Sequence, residues 1–325
     1  MTAATVARVG FTVLKTEISD TTRPIQVDLW YPAVPSTAET VFPYQPGSIV
    51  RVALDADPAP GASPLVLLSP GIHGSARNYT WLTEALARHG IIVAAISHHD
   101  ESPTGGSGAV DAADAGPIAS PRGWSRPRDC SAALDFVLAH PSFGGAADPS
   151  RIGAVGHANG GAAVLALAGG VFDPTAMEAY CHSPASRDDR GCEDADEPRA
   201  GIERANGSLR DERVRAVAAL DPSLGPGHNA RSLSRIKVPV HIVATVEGDF
   251  LPFEHHAGRY ARLIPGASLT PLAHGEGHFV FLDECSSREQ VAGVPVCRDR
   301  EGVERSAVHA RLSEILARFF TEHLR

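Results

Sequence analysis

The sequence contains no apolar run that approaches the ~18 residues needed to span a lipid bilayer, so we predict no membrane span. It also has no excess of positive charge, because 29 Lys and Arg residues oppose 38 Asp and Glu residues and the formal net charge is −9. That balance argues against nucleic acid as the main partner, which would require a basic surface. The opening residues, MTAATVARVG, lack the basic and apolar regions of a signal peptide.

Hydrophobic residues make up 43% of the 325 positions and charged residues 21%. This composition is sufficient to bury a full core and excludes an intrinsically disordered chain. The chain has no internal repeat and no interdomain linker. The sequence therefore predicts a single domain over residues 1–325.

Segments typical of strands and helices alternate along most of the chain. Short apolar runs at 63–71 and 91–100 are typical of buried parallel strands. The segments 78–90 and 304–324 space their apolar residues as amphipathic helices do. We therefore expect an α/β fold with a mostly parallel central sheet and helices on both of its faces.

Three stretches interrupt this alternation. Residues rich in Pro, Gly and Ala before position 63 are predicted to be a linker, and residues 101–128 a long loop. Residues 171–211 are polar and contain two cysteines, so we interpret them as an insertion over the sheet edge and a candidate lid. The many charges of this insertion are more typical of a solvated surface.

Four of the five cysteines form two local pairs, Cys181 with Cys192 and Cys285 with Cys297, and each pair brackets a polar stretch. Short closed loops of this kind suit disulfides, so we predict both bridges and, with them, a secreted or periplasmic protein. The alternative is four reduced thiols in a cytoplasmic protein. No CxxC spacing occurs, which disfavours a metal site. The fifth cysteine, Cys130, lies in a helical pattern and is predicted to be buried.

A glycine-flanked turn, Gly156-His157-Ala158-Asn159-Gly160, follows one of the predicted strands. The pattern G-x-S-x-G between a buried strand and a helix forms a nucleophile elbow, whose middle side chain projects above the sheet. The helix that follows directs its amide groups toward developing negative charge. Because the middle residue here is Ala158, the chain as it stands is expected not to form an acyl-enzyme.

Five motifs together carry a resemblance to a known family. They are SPGIHGS (69–75), GHANGG (156–161), ALDPSLGPG (219–227), IPGASL (264–269) and GEGHFVFLDEC (275–285). Through them the chain from about Thr12 to Leu324 resembles the α/β-hydrolases, and specifically the bacterial dienelactone-hydrolase-like esterases related to platelet-activating-factor acetylhydrolases. These relatives have Ser where this chain has Ala158. We consider a deliberate Ser→Ala change, a natural non-catalytic member, and a different nucleophile, for which the sequence offers no candidate.

A serine at this turn would need a general base that is oriented by a third group. His278 follows the last predicted strand of the sheet in a Gly-Glu-Gly-His loop, and its position and the resemblance both indicate that it is the base. His274 in the same loop is the alternative. His157 is expected to pack against the sheet, with a role as a pocket wall left open.

Two aspartates fit the position of the acid, which precedes the histidine in the chain order of this fold. Asp221 ends a predicted strand at the edge where ligands bind in open α/β sheets, and the acetylhydrolase relatives place their acid there. Asp249 follows the next strand, where most of the fold places the acid, but it is one residue away from the usual spacing. We take Asp221 as first choice and Asp249 as the alternative.

Acyl transfer also needs backbone N–H groups aimed at the oxyanion. We expect these donors at Asn159 and at Ile72, which lies in the glycine-containing turn after a predicted strand. Candidates for the substrate pocket are the histidines and aromatic residues near predicted upper loops: His73, His157, Trp124, Phe250, Phe253 and Phe279.

These expectations combine into a carboxylic ester hydrolase that acts on a small-molecule ester through a Ser-His-Asp triad, here disabled by Ala158. No cofactor is expected. The contiguous clusters His98-His99-Asp100 and His255-His256 are not spaced along one helix face, so we predict no metal. The alternatives are a natural binding protein that lost the chemistry, or the same triad acting on amides, lactones or thioesters. The sequence does not indicate the ester or the oligomeric state.

Overall fold

A computed structural model describes residues 8–18, 23–45, 48–71, 74–98, 126–192 and 208–325. The strands are β1 (Arg8–Ile18), β2 (Arg23–Ala33), β3 (Thr40–Gln45), β4 (Ser48–Leu54), β5 (Ser63–Ser69), β6 (Ile92–Ser97), β7 (Ala147–His157), β8 (Val214–Leu220), β9 (Val240–Thr245), β10 (Ser268–Leu272), β11 (Gln290–Val291) and β12 (Val294–Pro295). The α-helices are α1 (Thr80–Arg88), α2 (Arg126–Ala139), α3 (Asn159–Leu167), α4 (Pro174–Cys181), α5 (Ala230–Leu233), α6 (Ala257–Leu263) and α7 (Arg305–His323).

Strands β1 to β10 form one sheet in the order β10-β9-β8-β7-β5-β6-β2-β1-β4-β3, and β11 pairs with β12 in a separate hairpin. The six strands from β10 to β6 in this order are parallel to one another. Strand β2 is antiparallel to both β6 and β1. The predicted mostly parallel sheet is therefore confirmed.

The central strands are buried on both faces, which explains their continuous apolar sequences. In β5, Leu65 and Leu67 face one core cluster, which includes residues of α2, α3 and α6. Val66 and Leu68 face the other, which includes residues of α1 and α7. Alternate side chains of a strand point to opposite faces, so each face of the sheet needs its own layer of helices.

The parallel strands bring the segments that carry the candidate site to one edge of the sheet. His157 ends β7, Asp221 directly follows β8, and Thr245 ends β9. The carboxyl ends of parallel strands meet at the same edge, where open α/β sheets bind their ligands. The loop after β10, which contains His278, also begins at this edge.

The structure corrects one expectation about an irregular segment. The predicted linker before residue 63 contains the antiparallel pair β3 and β4. In β4 the buried Val50 and Val52 alternate with the exposed Ile49 and Arg51, which is the period of a half-buried strand. The neighbouring Pro, Gly and Ala residues obscured that signal.

Of the segment predicted to be an insertion, the structure describes residues 171–192 and 208–211. It contains helix α4, which begins with Pro174 at its first position. The carboxylate of Asp173 caps this helix by accepting hydrogen bonds from the amides of Thr175 and Ala176.

Disulfides join Cys181 to Cys192 and Cys285 to Cys297, as the sequence predicts. Cys130 has a free, buried thiol, and burial raises its pKa to about 12. None of the helices in the described ranges is long and apolar enough to cross a bilayer.

Candidate functional site

The turn at Ala158 has an unusual backbone conformation. Its φ of 50° and ψ of −117° lie in a region that L-amino acids rarely adopt. The two flanking glycines are required by close packing, since a Cβ at Gly156 would collide with the carbonyl of Gly160 and a Cβ at Gly160 with the carbonyl of Ser69. The two glycines of the pattern G-x-A-x-G are therefore required by the backbone of this tight strand-to-helix turn.

The structure brings His278 and Asp221 into direct contact. Nδ1 of His278 lies 2.6 Å from Oδ2 of Asp221, and both residues are buried. The Asp221 carboxylate also accepts hydrogen bonds from the amide and the hydroxyl of Thr245, each at 3.1 Å. A histidine that donates from Nδ1 to a carboxylate keeps Nε2 available to exchange a proton with a nucleophile.

The alternative acid, Asp249, contacts the backbone of the same histidine. Its Oδ1 accepts a hydrogen bond from the amide N–H of His278 at 2.9 Å. A Cβ at the preceding residue, Gly277, would lie 2.5 Å from Oδ2 of Asp249, so a larger residue there would displace this carboxylate. The side chain of Asp249 therefore fixes the loop and not the imidazole. His274 is exposed, and its amide donates to the carboxylate of Glu276.

The ring of His157 packs against the imidazole of His278, with 4.6 Å between the two ring centroids and 35° between the planes. It is buried, and this burial, together with the neighbouring His278, holds its pKa well below the usual range, so the ring is neutral. Its Nε2 lies 3.1 Å from the carbonyl oxygen of His278, which only accepts, so the ring proton is on Nε2. Nδ1 then accepts from the hydroxyl of Tyr79, which itself accepts from the amide of Gly71.

One of the two predicted oxyanion donors lies outside the described residues. This donor is Ile72, and the pocket candidates His73 and Trp124 also lie outside the described residues. The turn that leads to Ile72 is adjacent to the elbow, since a Cβ at Gly71 would lie 3.4 Å from the Cβ of Ala158. Asn159 is the first residue of α3, and its side-chain oxygen accepts a hydrogen bond from the hydroxyl of Ser223.

Two of the predicted pocket residues pack around the base. The ring of Phe250 stacks on that of His278, with centroids 4.7 Å apart and 12° between the planes. Phe279 contacts both rings edge-on, at 5.3 Å from Phe250 and 5.2 Å from His278. Phe253 belongs instead to the core, against which it packs partly buried.

One histidine of each cluster considered for metal is paired with a carboxylate, while His99 and Asp100 lie outside the described residues. His98 bonds Asp129 through Nδ1 and the hydroxyl of Ser69 through Nε2, each at 2.9 Å. His256 bonds Asp189 at 2.6 Å. Sequence reasoning missed both pairs because their members are 31 and 67 residues apart. Within the ranges that the structure describes, no group of three or more His, Cys, Asp and Glu residues could hold a metal ion.

Comparisons with known proteins find related sequences over part of the chain. Residues 49–116 match the family model of platelet-activating factor acetylhydrolase, isoform II. Cutinases est1 and est2 of Thermobifida alba are 35% and 34% identical to the chain over 105 residues. Each match covers 32% of this chain and 29% of the cutinase, so the chain spans less than a third of the length of these relatives.

The similarity of folds extends over nearly the whole chain. The structure of a ferulic acid esterase from Streptomyces cinnamoneus superposes with a TM-score of 0.66 and covers 99% of this chain and 92% of the esterase. The two sequences are 24% identical. At that identity the superposition shows a shared fold, and the chemistry must be argued from the site.

Proposed function

We propose that this chain, which shares its fold with a ferulic acid esterase, carries the site of a carboxylic ester hydrolase with a Ser-His-Asp triad, in which Ala158 occupies the position of the nucleophilic serine. His278 is the general base and Asp221 the acid. The observation that carries this proposal is the buried pair His278–Asp221 at the sheet edge that also holds the strained turn at Ala158. The esterase relatives support ester hydrolysis as the reaction class.

In the form with serine at 158, the hydroxyl oxygen attacks the ester carbonyl carbon while Nε2 of His278 takes the hydroxyl proton. The carboxylate of Asp221 holds the imidazole in the Nδ1–H tautomer and stabilises the imidazolium that forms. Backbone amides of Ile72 and Asn159 stabilise the oxyanion. The imidazolium then protonates the departing alcohol, and a water molecule activated by His278 releases the acid from the acyl-enzyme.

The second candidate function is a binding protein that keeps the fold without the chemistry. The observation in its favour is Ala158 itself, which leaves the turn without a hydroxyl. The strained and closely packed backbone of a catalytic turn is nevertheless present, since Ala158 has a positive φ and both flanking glycines are sterically required. These features favour the hydrolase scaffold.

The two disulfides also suit an oxidising compartment, so we propose a secreted or periplasmic location.

The test is to restore the hydroxyl. We expect Ala158→Ser to hydrolyse a short-chain p-nitrophenyl ester, whereas the chain with Ala158 does not. The control is Ala162→Ser, which adds the same hydroxyl one turn further along α3 and is expected to stay inactive. A folded Ala158→Ser protein with no more hydrolysis than the parent chain would favour the binding protein. A comparison of ester with matched amide, lactone and thioester substrates then identifies the bond that is cleaved.

A further inference from the structure

The face of His278 is covered by Phe250, and Phe250 is itself held by the loop that the Cys181–Cys192 disulfide closes. We propose that this loop, residues 181–192, is a positioning element for the base, which acts through residues 249–251. The inference deepens the proposed function, because it names what holds the base of that site in place.

Residues 249–251 hold His278 through two contacts. The carboxylate of Asp249 accepts the His278 amide N–H at 2.9 Å, and the ring of Phe250 lies nearly parallel to the imidazole. The contact with Asp249 fixes the backbone of His278, and the contact with Phe250 fixes its ring. Because aromatic stacking excludes water from that face, Phe250 also shields the hydrogen bond from His278 to Asp221.

The disulfide loop in turn contacts Phe250 and Leu251 of this segment. The amide of Arg190 donates to the carbonyl of Phe250 at 2.9 Å. At the next position Gly191 packs closely against Leu251, since a Cβ there would lie 3.0 Å from its Cδ2. Successive residues of the loop therefore hold successive residues of the segment that covers the base.

Asp189 anchors the disulfide loop to the body of the protein. The carboxylate of Asp189 accepts from Nε2 of His256 at 2.6 Å, and both side chains are buried. The amide of Gly225 donates to Nδ1 of His256, which places the ring proton on Nε2. The other oxygen of Asp189 accepts from the amide of Gly191. The disulfide shortens the free chain on either side of this anchor and thereby restricts the loop to the conformation that reaches Phe250.

The second disulfide provides a matched comparison. Cys285 and Cys297 are 12 positions apart in the sequence and Cys181 and Cys192 are 11 apart, so removal of either bridge relaxes the unfolded chain to a similar extent. The nearby contact that links the Cys285–Cys297 side to residues 249–251 is an ion pair between Arg300 and Asp249 at 3.6 Å, in which the arginine is 41% exposed. Such exposed pairs contribute little. The first disulfide loop thus reaches residues 249–251 through a direct backbone hydrogen bond, whereas the side of the second reaches them through this exposed ion pair.

The experiment removes each disulfide by paired Cys→Ser substitution and measures the base directly. In the chain with Ala158, the NMR signal of the His278 Nδ1 proton reports how fast that proton exchanges with water. We expect Cys181→Ser/Cys192→Ser to raise this rate roughly tenfold, while Cys285→Ser/Cys297→Ser leaves it nearly unchanged. The proton that joins His98 to Asp129 serves as an internal reference. This measurement needs no hydrolysis, so it tests the inference even where the proposed function fails.

The same pairs in the Ala158→Ser form test the effect on turnover. We expect loss of Cys181–Cys192 to lower kcat by roughly 10- to 100-fold with little change in KM, and loss of Cys285–Cys297 to have a much smaller effect. Phe250→Ala should reproduce the change with both disulfides intact, and Phe250→Tyr, which keeps the ring, should not. Combining Phe250→Ala with the first disulfide variant should add little, because both act through one contact.

Three results would overturn the inference. Equal responses to the two disulfide variants would indicate general loss of stability. Unchanged proton exchange without Cys181–Cys192 would show that the loop does not hold the base. Additive effects of Phe250→Ala and of the disulfide variant would show that the loop acts elsewhere.

Discussion

Nδ1 of His278 lies 2.6 Å from the carboxylate of Asp221, while the carboxylate of Asp249 lies 2.9 Å from the backbone amide of the same histidine. Two acids therefore meet one residue at two different atoms. The first is placed to select the tautomer of the ring, and the second fixes the loop that carries it. Their substitution should have different consequences for turnover.

In the Ala158→Ser form, we expect Asp221→Asn to lower kcat by about 10³- to 10⁴-fold, because an amide at this position no longer favours the imidazole proton on Nδ1. Asp249→Asn keeps an oxygen that can accept the His278 amide, and we expect it to lower kcat by less than about tenfold. Steady-state kinetics on a p-nitrophenyl ester measure both effects. A larger loss at Asp249 than at Asp221 would reverse the assignment of the acid.

The strained turn predicts a stabilising substitution in the chain as it stands. Ala158→Gly removes the Cβ from a residue with φ of 50° and ψ of −117°, which relieves strain of order 1–3 kcal/mol. The added freedom of the unfolded chain offsets about 0.4–1 kcal/mol of this gain. We expect a net increase of about 1 kcal/mol in the free energy of unfolding, measured by urea denaturation. Ala162→Gly, the control at a buried position inside α3, should lower it by at least about 1 kcal/mol.

The flanking glycine should tolerate no side chain. A Cβ at Gly160 would meet the backbone carbonyls of Ser69 and Pro70, which cannot rotate away as a side chain can. We expect Gly160→Ala to destabilise the protein by more than about 3 kcal/mol or to prevent folding. The control is Gly145→Ala, at a position where a Cβ would meet no atom within 4 Å. Equal midpoints in urea for the two variants would contradict the packing at the elbow.

The central sheet could be predicted from sequence because its strands are short and continuously apolar, as β5 and β6 show. Local patterns also marked the elbow, whose glycines and central residue lie within five positions. The hairpin of β3 and β4 was missed because Pro, Gly and Ala dominate the segment around it. The average composition of this long segment conceals the short alternation of Val50 and Val52 with their exposed neighbours.

The site could be predicted only as a set of candidates. Asp221 and Asp249 both follow strands that end at the same edge of the sheet, and no local pattern says which carboxylate meets the ring and which the backbone. The stacking of Phe250 on His278 was equally inaccessible. It depends on the path of the loop after β9, which is set by Asp189 and Arg190, about 60 residues earlier in the chain. Contacts of that separation leave no periodic signal.

Buried neutral histidines give the stability of the protein a pH dependence. His309 donates from Nε2 to the carbonyl of Val280 and stacks on Trp81. Burial lowers its pKa from 6.5 to about 4, with a further lowering by Arg305. Below pH 6.5 the unfolded chain binds a proton that the folded chain does not. The contribution of His309 is therefore present above pH 6.5, declines as the pH falls, and reaches its minimum below about 4.

We expect His309→Gln to reduce the pH dependence of the free energy of unfolding by up to about 1.4 kcal/mol per pH unit between pH 6 and pH 4.5. The slope is the informative quantity, since the variant also loses the stacking on Trp81 and is less stable at every pH. His228, whose pKa burial lowers to about 4, keeps its own contribution in both proteins. The same substitution at the exposed His89 is the control. The slope of the free energy of unfolding against pH is set by the number of protons that the protein takes up on unfolding. An unchanged slope in His309→Gln would therefore mean that this histidine is already protonated in the folded protein.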